Sequence, residues 1–496
     1  MNSRLKSCLL AVSAGVLALA FSGCMTVGPD YVAPVLELPS DWHSPYARDA
    51  VETPPAQARY WEAFDDPVLD DLIQRVSQNN RNLQTALAAV DEARAFLGIS
   101  EASRWPSVSQ NASATYNRSS RNTQPLDLPN RDREDTTFSL GPSATWEIDL
   151  FGRVRRSVES AEAALAATEA DFADLLIVLY AETAEAYFAY RALEQRLAFA
   201  EANVALQEGT LELTRTRVQA GLVPELDRAQ AELNLNRSRA LLPLLREGRD
   251  NVFHALAVLT GVYPWDLAPL LAAPAVNPLV PVVATTTTPT DTLRQRPDVR
   301  AAERALAAQT ARIGVATADL YPRFFLSGSI SLSAFDAGKL FEGDSRGFSI
   351  GPGMNWRVFE AGRLRDLVRV EEARTAQALA QYEQAVLTAV REVEDALSGL
   401  ANERQRNADL TRAVSAAEES VQLAQDLYRT GLVEFDTVLE VQTALLFLQD
   451  DLASSNGAVR QNIVRFYRSI GGGTGVTSKN RIIANETLAV KTDQNH

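Results

Sequence analysis

The chain offers little with which to do enzymatic chemistry. Its three histidines, His43, His254 and His496, are far apart, and neither a zinc-ligand spacing, a phosphate-binding glycine loop nor a nucleophile elbow occurs in its 496 residues. Only three methionines are present, the initiator among them, so a soft-metal site has as little to build on. The expectation is a protein that is not an enzyme and holds no metal or other cofactor. One group has a defined chemical fate, the thiol of Cys24. It follows Arg4, Lys6, an apolar run from Leu9 to Phe21 and then Ser22-Gly23, which is a secretory signal too short and one-sided to span a membrane. Cys24 after Gly23 resembles the bacterial lipobox, whose cysteine is diacylated and becomes the first mature residue, although Phe21 stands where Leu is preferred. The alternative is an ordinary signal with a buried thiol. Cys8 lies inside the signal, so residues 24–496 hold one cysteine and no internal disulfide.

Cleavage after Gly23 removes Arg4 and Lys6, taking the formal charge from −15 to −17. A chain this acidic has no global attraction for nucleic acid. Residues 24–65, with Pro29, Pro34, Pro39, Pro45, Pro54 and Pro55, read as an extended, lipid-anchored tether.

Beyond it the sequence is doubled. Phe138 to Arg155, FSLGPSATWEIDLFGRVR, returns as Phe348 to Arg365, FSIGPGMNWRVFEAGRLR, at a constant offset of 210. Leu97, Gly98 and Pro106 return as Ile313, Gly314 and Pro322 at an offset of 216, the difference fitting within one loop. This divides the chain into a first repeat, 66–260, a linker, 261–297, rich in Pro and Thr, a second repeat, 298–470, and a polar tail, 471–496, expected to be disordered.

Each repeat predicts the same elements. A helix over 66–105 has Leu69, Leu72, Ile73, Val76, Leu83, Leu87 and Val90 at three and four spacing. A β-hairpin follows at 107–150 and again at 323–358. In it Phe138, Leu140, Ala144, Trp146 and Ile148 alternate with Ser, Gly, Ser, Thr and Glu, the period-two pattern of a strand with one apolar face. Pro142 and Pro352 mark expected bulges or kinks. Proline is absent from 153–221 and after Pro352. Residues 172, 176, 179, 183, 186, 190, 193, 197, 200 and 204 alternate steps of four and three and are apolar except Thr183, a coiled-coil seam. Such helices would be about 100 Å long. Each ends at a glycine, Gly221-Leu222-Val223 and Gly431-Leu432-Val433, and a shorter helix returns, with Pro243 expected to kink or break the first.

Four strands cannot present open edges to lipid, and membrane barrels begin at about eight strands. Pooling strands between chains resolves this, two copies giving a filled barrel and three a twelve-stranded one wide enough for a channel. A soluble sandwich-like sheet is the alternative.

The chain resembles the TolC-like outer membrane factors, in the lipoprotein branch related to NodT. The resemblance rests on Cys24 with Val27-Gly28-Pro29-Asp30-Tyr31, on Asp66-Pro67-Val68-Leu69, and on Arg296-Pro297-Asp298-Val299-Arg300-Ala301-Ala302-Glu303. It extends to Gly314 with Tyr321-Pro322, Gly152-Arg153, Gly362-Arg363, Gly221-Leu222 and Gly431-Leu432. It implies a mainly α fold with a four-stranded β contribution. It further implies a homotrimer, with a twelve-stranded β-barrel in the outer membrane of a Gram-negative bacterium and a twelve-helix tunnel in the periplasm. The partners it implies are a periplasmic adaptor, an inner-membrane pump of the proton-driven RND type and outer-membrane lipid. By the same resemblance, Asp436 and Glu440 would form the periplasmic gate, a negative ring in three copies; the alternative is that Asp436 merely caps the returning helix, and both roles can coexist. The tips Gly221, Leu222, Val223, Gly431, Leu432 and Val433 would meet the adaptor, unless their apolar side chains only complete the helix ends. The expected function is a passive duct exporting small molecules such as drugs. A channel for protein or polysaccharide secretion, or a periplasmic lipoprotein without a pore, remains as the alternative.

Overall fold

A computed structural model describes residues 25–35, 38–44, 59–120, 134–272 and 288–473. The signal, Cys24, the centre of the linker and the tail from residue 474 lie outside these residues. The elements are α1 (Pro67–Asn79), α2 (Arg81–Ala102), β1 (Ser107–Arg118), β2 (Glu134–Ile148), α3 (Arg153–Gln219), α4 (Glu225–Thr260), α5 (Pro264–Leu271), α6 (Pro289–Gln295), α7 (Pro297–Ala318), β3 (Arg323–Ala334), β4 (Arg346–Asn355), α8 (Arg363–Thr430) and α9 (Phe435–Ser469). The chain divides into two compact units, one built from residues 1–34, 89–169 and 301–383, the other from 35–88, 170–300 and 384–496.

The first unit holds one four-stranded antiparallel sheet in the order β1-β2-β3-β4, so the two predicted hairpins join through β2 and β3. The expected bulges are absent. Pro142 faces Gln110 in an unbroken β1–β2 register, and Pro352 faces Leu326 in an unbroken β3–β4 register. Opposite β3 the pairing lapses at Gly141-Pro142 and resumes in the same register at Ser143, because a proline removes a donor without adding a residue. The segment after Cys24 is pinned to the start of α3. Val27 N–H donates to the Phe151 carbonyl at 3.1 Å, and buried Arg156 donates to Asp30 at 2.6 Å and to the Gly28 carbonyl at 3.3 Å.

The second unit is helical and carries the largest core. Of the ten seam positions, Leu176, Leu179, Thr183, Tyr190, Leu197, Ala200 and Val204 are buried, and Phe172, Ala186 and Leu193 are half-buried. Thr183 satisfies its hydroxyl by donating to the Leu179 carbonyl at 2.7 Å, which makes a polar residue tolerable there. Leu69, Leu72, Val76, Phe188, Leu256, Ile463 and Phe466 close this core, each fully buried leucine or phenylalanine contributing about 1.5–3 kcal/mol by transfer from water. Asp66 caps α1 by accepting from Val68 N–H at 3.0 Å, and its other oxygen accepts from the Tyr187 hydroxyl at 2.6 Å. Burial, reinforced by this carboxylate, holds the Tyr187 phenol well above its ordinary value.

Five expectations are corrected here. The helix over 66–105 is two helices, because the Asn80 side chain accepts from Asn82 and Leu83 N–H, starting α2 afresh, and donates to the Leu259 carbonyl at 2.7 Å. The tether includes a 3-10 turn, Tyr60–Phe64, that belongs to the core, with Tyr60 stacked on Tyr467 at 5.0 Å. The linker contains α5 and α6, whose Leu267, Leu271 and Leu293 are buried. Pro243 does not break helix α4, which runs through it with Leu245 and Leu242 packing on Leu197 and Ala200 of α3. Gly471, Gly472 and Gly473 are buried rather than part of a free tail.

Candidate functional site

Two regions carry the features that the sequence singles out. The first is the pair of hairpin turns in the helical unit. At the end of α3, Gly221 takes φ +69°, its N–H donates to Val218 and the Leu222 N–H reaches back to the Arg217 carbonyl, both at 2.9 Å. At the end of α8, Gly431 takes φ +79°, its N–H donates to Tyr428 and the Leu432 N–H reaches the Leu427 carbonyl, again at 2.9 Å. These are matching left-handed caps, which any Cβ would strain. The apolar tip residues part company here. Val223 and Val433 are half-buried against Tyr428, Phe435 and Val438, completing the helix ends, whereas Leu222 and Leu432 are 67% and 73% exposed.

Asp436 and Glu440 stand one turn apart near the start of α9, both exposed and on one face. Neither forms an ion pair or hydrogen bond among the described residues. The cap position is Glu434, and no side chain bonds the first N–H groups, so Asp436 does not cap α9. Its carboxylate adds only its charge near the helix N-terminus.

Three residues that the sequence reading missed lie beside the turns. Arg217 donates to the Tyr428 carbonyl and lies over the Tyr428 ring, 4.5 Å from its centroid, while the Tyr428 hydroxyl meets Asp227 on α4 at 3.3 Å. Burial, with Asp227 beside it, holds the Tyr428 phenol above its ordinary value against Thr214 and Arg217. Further along α3 the seam turns polar. Asn203 donates to Gln449 at 2.7 Å and Gln442 donates to Thr210 at 2.8 Å, whereas the amide of buried Gln207 has no partner among the described residues.

The second region is the sheet, which has two unlike faces. Register places Val108, Ala112, Ala114 and Tyr116 beside Phe138, Leu140 and Ala144, then Leu326, Ile330 and Leu332, then Phe348, Ile350 and Met354, all on one side. None of the described residues covers it, and Phe348, Ile350 and Val108 are 84%, 72% and 71% exposed. The other side is lined with hydroxyls paired across strands, Ser109 to Ser143 at 2.9 Å, Ser139 to Ser333 at 3.1 Å and Ser329 to Ser349 at 2.9 Å. The repeated tryptophans hold equivalent places at the strand ends. Trp146 Nε1 donates to the Arg104 carbonyl at 2.9 Å and Trp356 Nε1 to the Leu320 carbonyl at 3.1 Å. Among the described residues no helix is long and apolar enough to cross a membrane, and no cluster of His, Cys, Asp or Glu could hold a metal ion.

A sheet apolar on one face and hydroxylated on the other, on a chain with two paired long helices, defines a class of protein that meets lipid through its strands and water through its helices. The chain belongs to the outer membrane efflux protein family, whose pattern matches residues 72–262 and 288–472. It is similar to the pyoverdine export outer membrane protein OpmQ of Pseudomonas putida, 31% identical over 96% of this chain and 98% of that protein. Outer membrane protein OprJ of Pseudomonas aeruginosa is 31% identical over 93% of this chain and 95% of its own. Among solved structures, the outer-membrane channel OprN is 34% identical with a TM-score of 0.85, covering 91% of this chain and all of that one. CusC is 26% identical with a TM-score of 0.80, covering 90% of this chain and all of that one. The resemblance read from sequence is thereby established, and the chain is an outer membrane efflux channel protein of the kind that works in tripartite systems.

Proposed function

We propose that three copies of this chain form a passive export duct for small molecules, and the observation that carries this is the bare apolar face of a sheet whose two edges, β1 and β4, run in opposite directions. Opposite edges allow β4 of one copy to pair antiparallel with β1 of the next, so three copies close into twelve strands with no edge left. Dimensions support the reading. Trp146 and Thr136, the register partner of Tyr116, are ten residues apart on β2. That is about 33 Å along a strand and about 25 Å in height at the usual tilt, the thickness of an outer-membrane apolar band edged by aromatic rings. The hydroxyl face would line the lumen, and twelve helices would carry the path into the periplasm.

In this reading a lipid on Cys24 secures the N-terminus, three residues before the Val27 contact with Phe151. Asp436 and Glu440 of three copies form a negative ring at the closed mouth, and Leu222 and Leu432 meet the periplasmic adaptor. A proton-driven pump of the RND type supplies the energy. Drugs or toxic compounds as cargo follow from relatives named for solvent and toluene efflux, SrpC and TtgI of Pseudomonas putida, each 30% identical. The test is retention of a hydrophobic fluorescent dye in a strain lacking the protein. Raised retention, reversed by a plasmid copy, is expected; equal retention with no redundant channel present would turn the reading toward secretion of a dedicated polymer.

A further inference from the structure

In the helical unit, Asp174 of α3 lines a cavity of about 110 Å³ that is also faced by Arg296, Asp298, Glu392 and Arg468, from the α6–α7 junction, α8 and the end of α9. Arg296, 5% exposed, is fully committed. It donates to Asp298 at 3.0 and 2.7 Å, to Glu392 at 2.7 Å and to the Ser469 carbonyl at 2.5 Å. Asp174 itself makes no hydrogen bond or ion pair among the described residues, and Arg468 reaches it only through space. Three carboxylates therefore face two guanidinium groups, an excess of one negative charge in the lining that one proton would balance, and Asp171 one turn away adds to the negative field.

We propose that Asp174 is a proton-binding site through which acid tightens the helical unit, joining α3 to the α6–α7 junction and the end of α9. Burial first, then the charge of Asp298, pushes its carboxyl up to about 6; Arg296 and Arg468 pull the other way and Asp171 adds to the push. In the unfolded chain the group titrates near 3.8. Between these values the folded protein binds more protons than the unfolded chain, so this group's contribution to stability falls as pH rises from about 4 to about 6 and is flat above. The range is one a periplasmic protein meets in acid surroundings.

The experiment is thermal unfolding of the full-length protein in detergent micelles across that pH range, for wild type, Asp174→Asn and Arg468→Gln. The neutral amide already carries the relief that protonation brings. Asp174→Asn is therefore expected to unfold a few degrees higher than wild type near neutral pH, the gap closing toward pH 4. Arg468→Gln removes a charge that favours the carboxylate, so its stability is expected to begin falling at the same pH as that of wild type but to go on falling to a higher pH before it levels off. A gap between wild type and Asp174→Asn that does not vary with pH overturns the proposal. Should Asp174→Asn fail to fold, an Arg468→Gln profile superimposing on that of wild type overturns it instead.

Discussion

The guanidinium of Arg217 lies 4.5 Å from the centroid of the Tyr428 ring and donates to the backbone carbonyl of the same residue. Arg217 closes α3 and Tyr428 closes α8, so one side chain ties together the ends of both long helices. Through Asp227, 3.3 Å from the Tyr428 hydroxyl, the returning helix α4 joins the same knot. A cation over a part-buried aromatic ring together with a charge-assisted hydrogen bond contributes about 1–3 kcal/mol. Arg217→Ala is accordingly expected to loosen the turns and raise single-channel conductance in planar bilayers. Tyr428→Phe keeps the ring and carbonyl and loses only the hydroxyl's contacts with Asp227 and Thr214, so its conductance should fall between the two. Equal conductance in Arg217→Ala and wild type would mean that the pair does not restrain the mouth.

Asp436 and Glu440 are exposed and form no ion pair or hydrogen bond among the described residues, so in the proposed duct their charge would be available to whatever passes. Replacing both with alanine should raise conductance and reduce the preference for cations over anions, read from the reversal potential in a salt gradient. Asparagine and glutamine at the same places should reduce the preference as far while leaving more of the bulk in place. Unchanged conductance and reversal potential would remove the two residues from the gate.

Gly141 and Gly351 occupy related strands and predict opposite outcomes. A Cβ on Gly141 would lie 2.0 Å from the Ile330 carbonyl oxygen and 2.7 Å from the Ser331 Cα, both backbone atoms, whereas a Cβ on Gly351 meets nothing within 4 Å. Gly141→Ala must spread β2 from β3, and is expected to abolish folded channel in outer-membrane fractions. Gly351→Ala should accumulate as wild type does. Normal accumulation of Gly141→Ala would mean that the two strands separate there at little cost.

Much of this was written plainly in the residues. The doubled FSLGP and FSIGP stretches announced four strands, and the proline-free runs gave both long helices to within two residues of their observed ends, because periodicity and proline act locally. The turns at Gly221 and Gly431 were legible for the same reason. What escaped depends on contacts distant in sequence or on differences between the repeats. At the offset of 210, Arg217 corresponds to Leu427, Asp227 to Thr437 and Tyr428 to Val218, so a search for matching positions passes over all three. The break at Asn80 was hidden because α1 and α2 share an apolar spacing, and its cause includes a bond to Leu259 that lies 179 residues away. Tyr60, Trp61 and Phe64 sat in a stretch that proline made look like a tether, and only their burial against Tyr467 and Phe188 shows them as core.

Neighbouring residues on β4 give the sharpest test of which face meets lipid. Ile350 lies opposite Gly328 on the apolar face and is 72% exposed, while Ser349 lies opposite Ser329 on the hydroxyl face, its side chain 2.9 Å from that of its partner. A lysine facing lipid near the middle of an outer-membrane barrel costs about 2–4 kcal/mol, and one facing an aqueous lumen costs little. Three copies would triple the difference in an assembly. Ile350→Lys is expected to lower the yield of membrane-inserted protein sharply. Ser349→Lys should insert normally, giving up one serine pair, and should shift the reversal potential toward anions, since its charge would stand in the path of the ions. The reverse result, with Ser349→Lys excluded from the membrane and Ile350→Lys inserted and anion-selective, would turn the sheet inside out. Failure of both would instead mean that each face is packed against protein, and the twelve-stranded barrel would have to be abandoned.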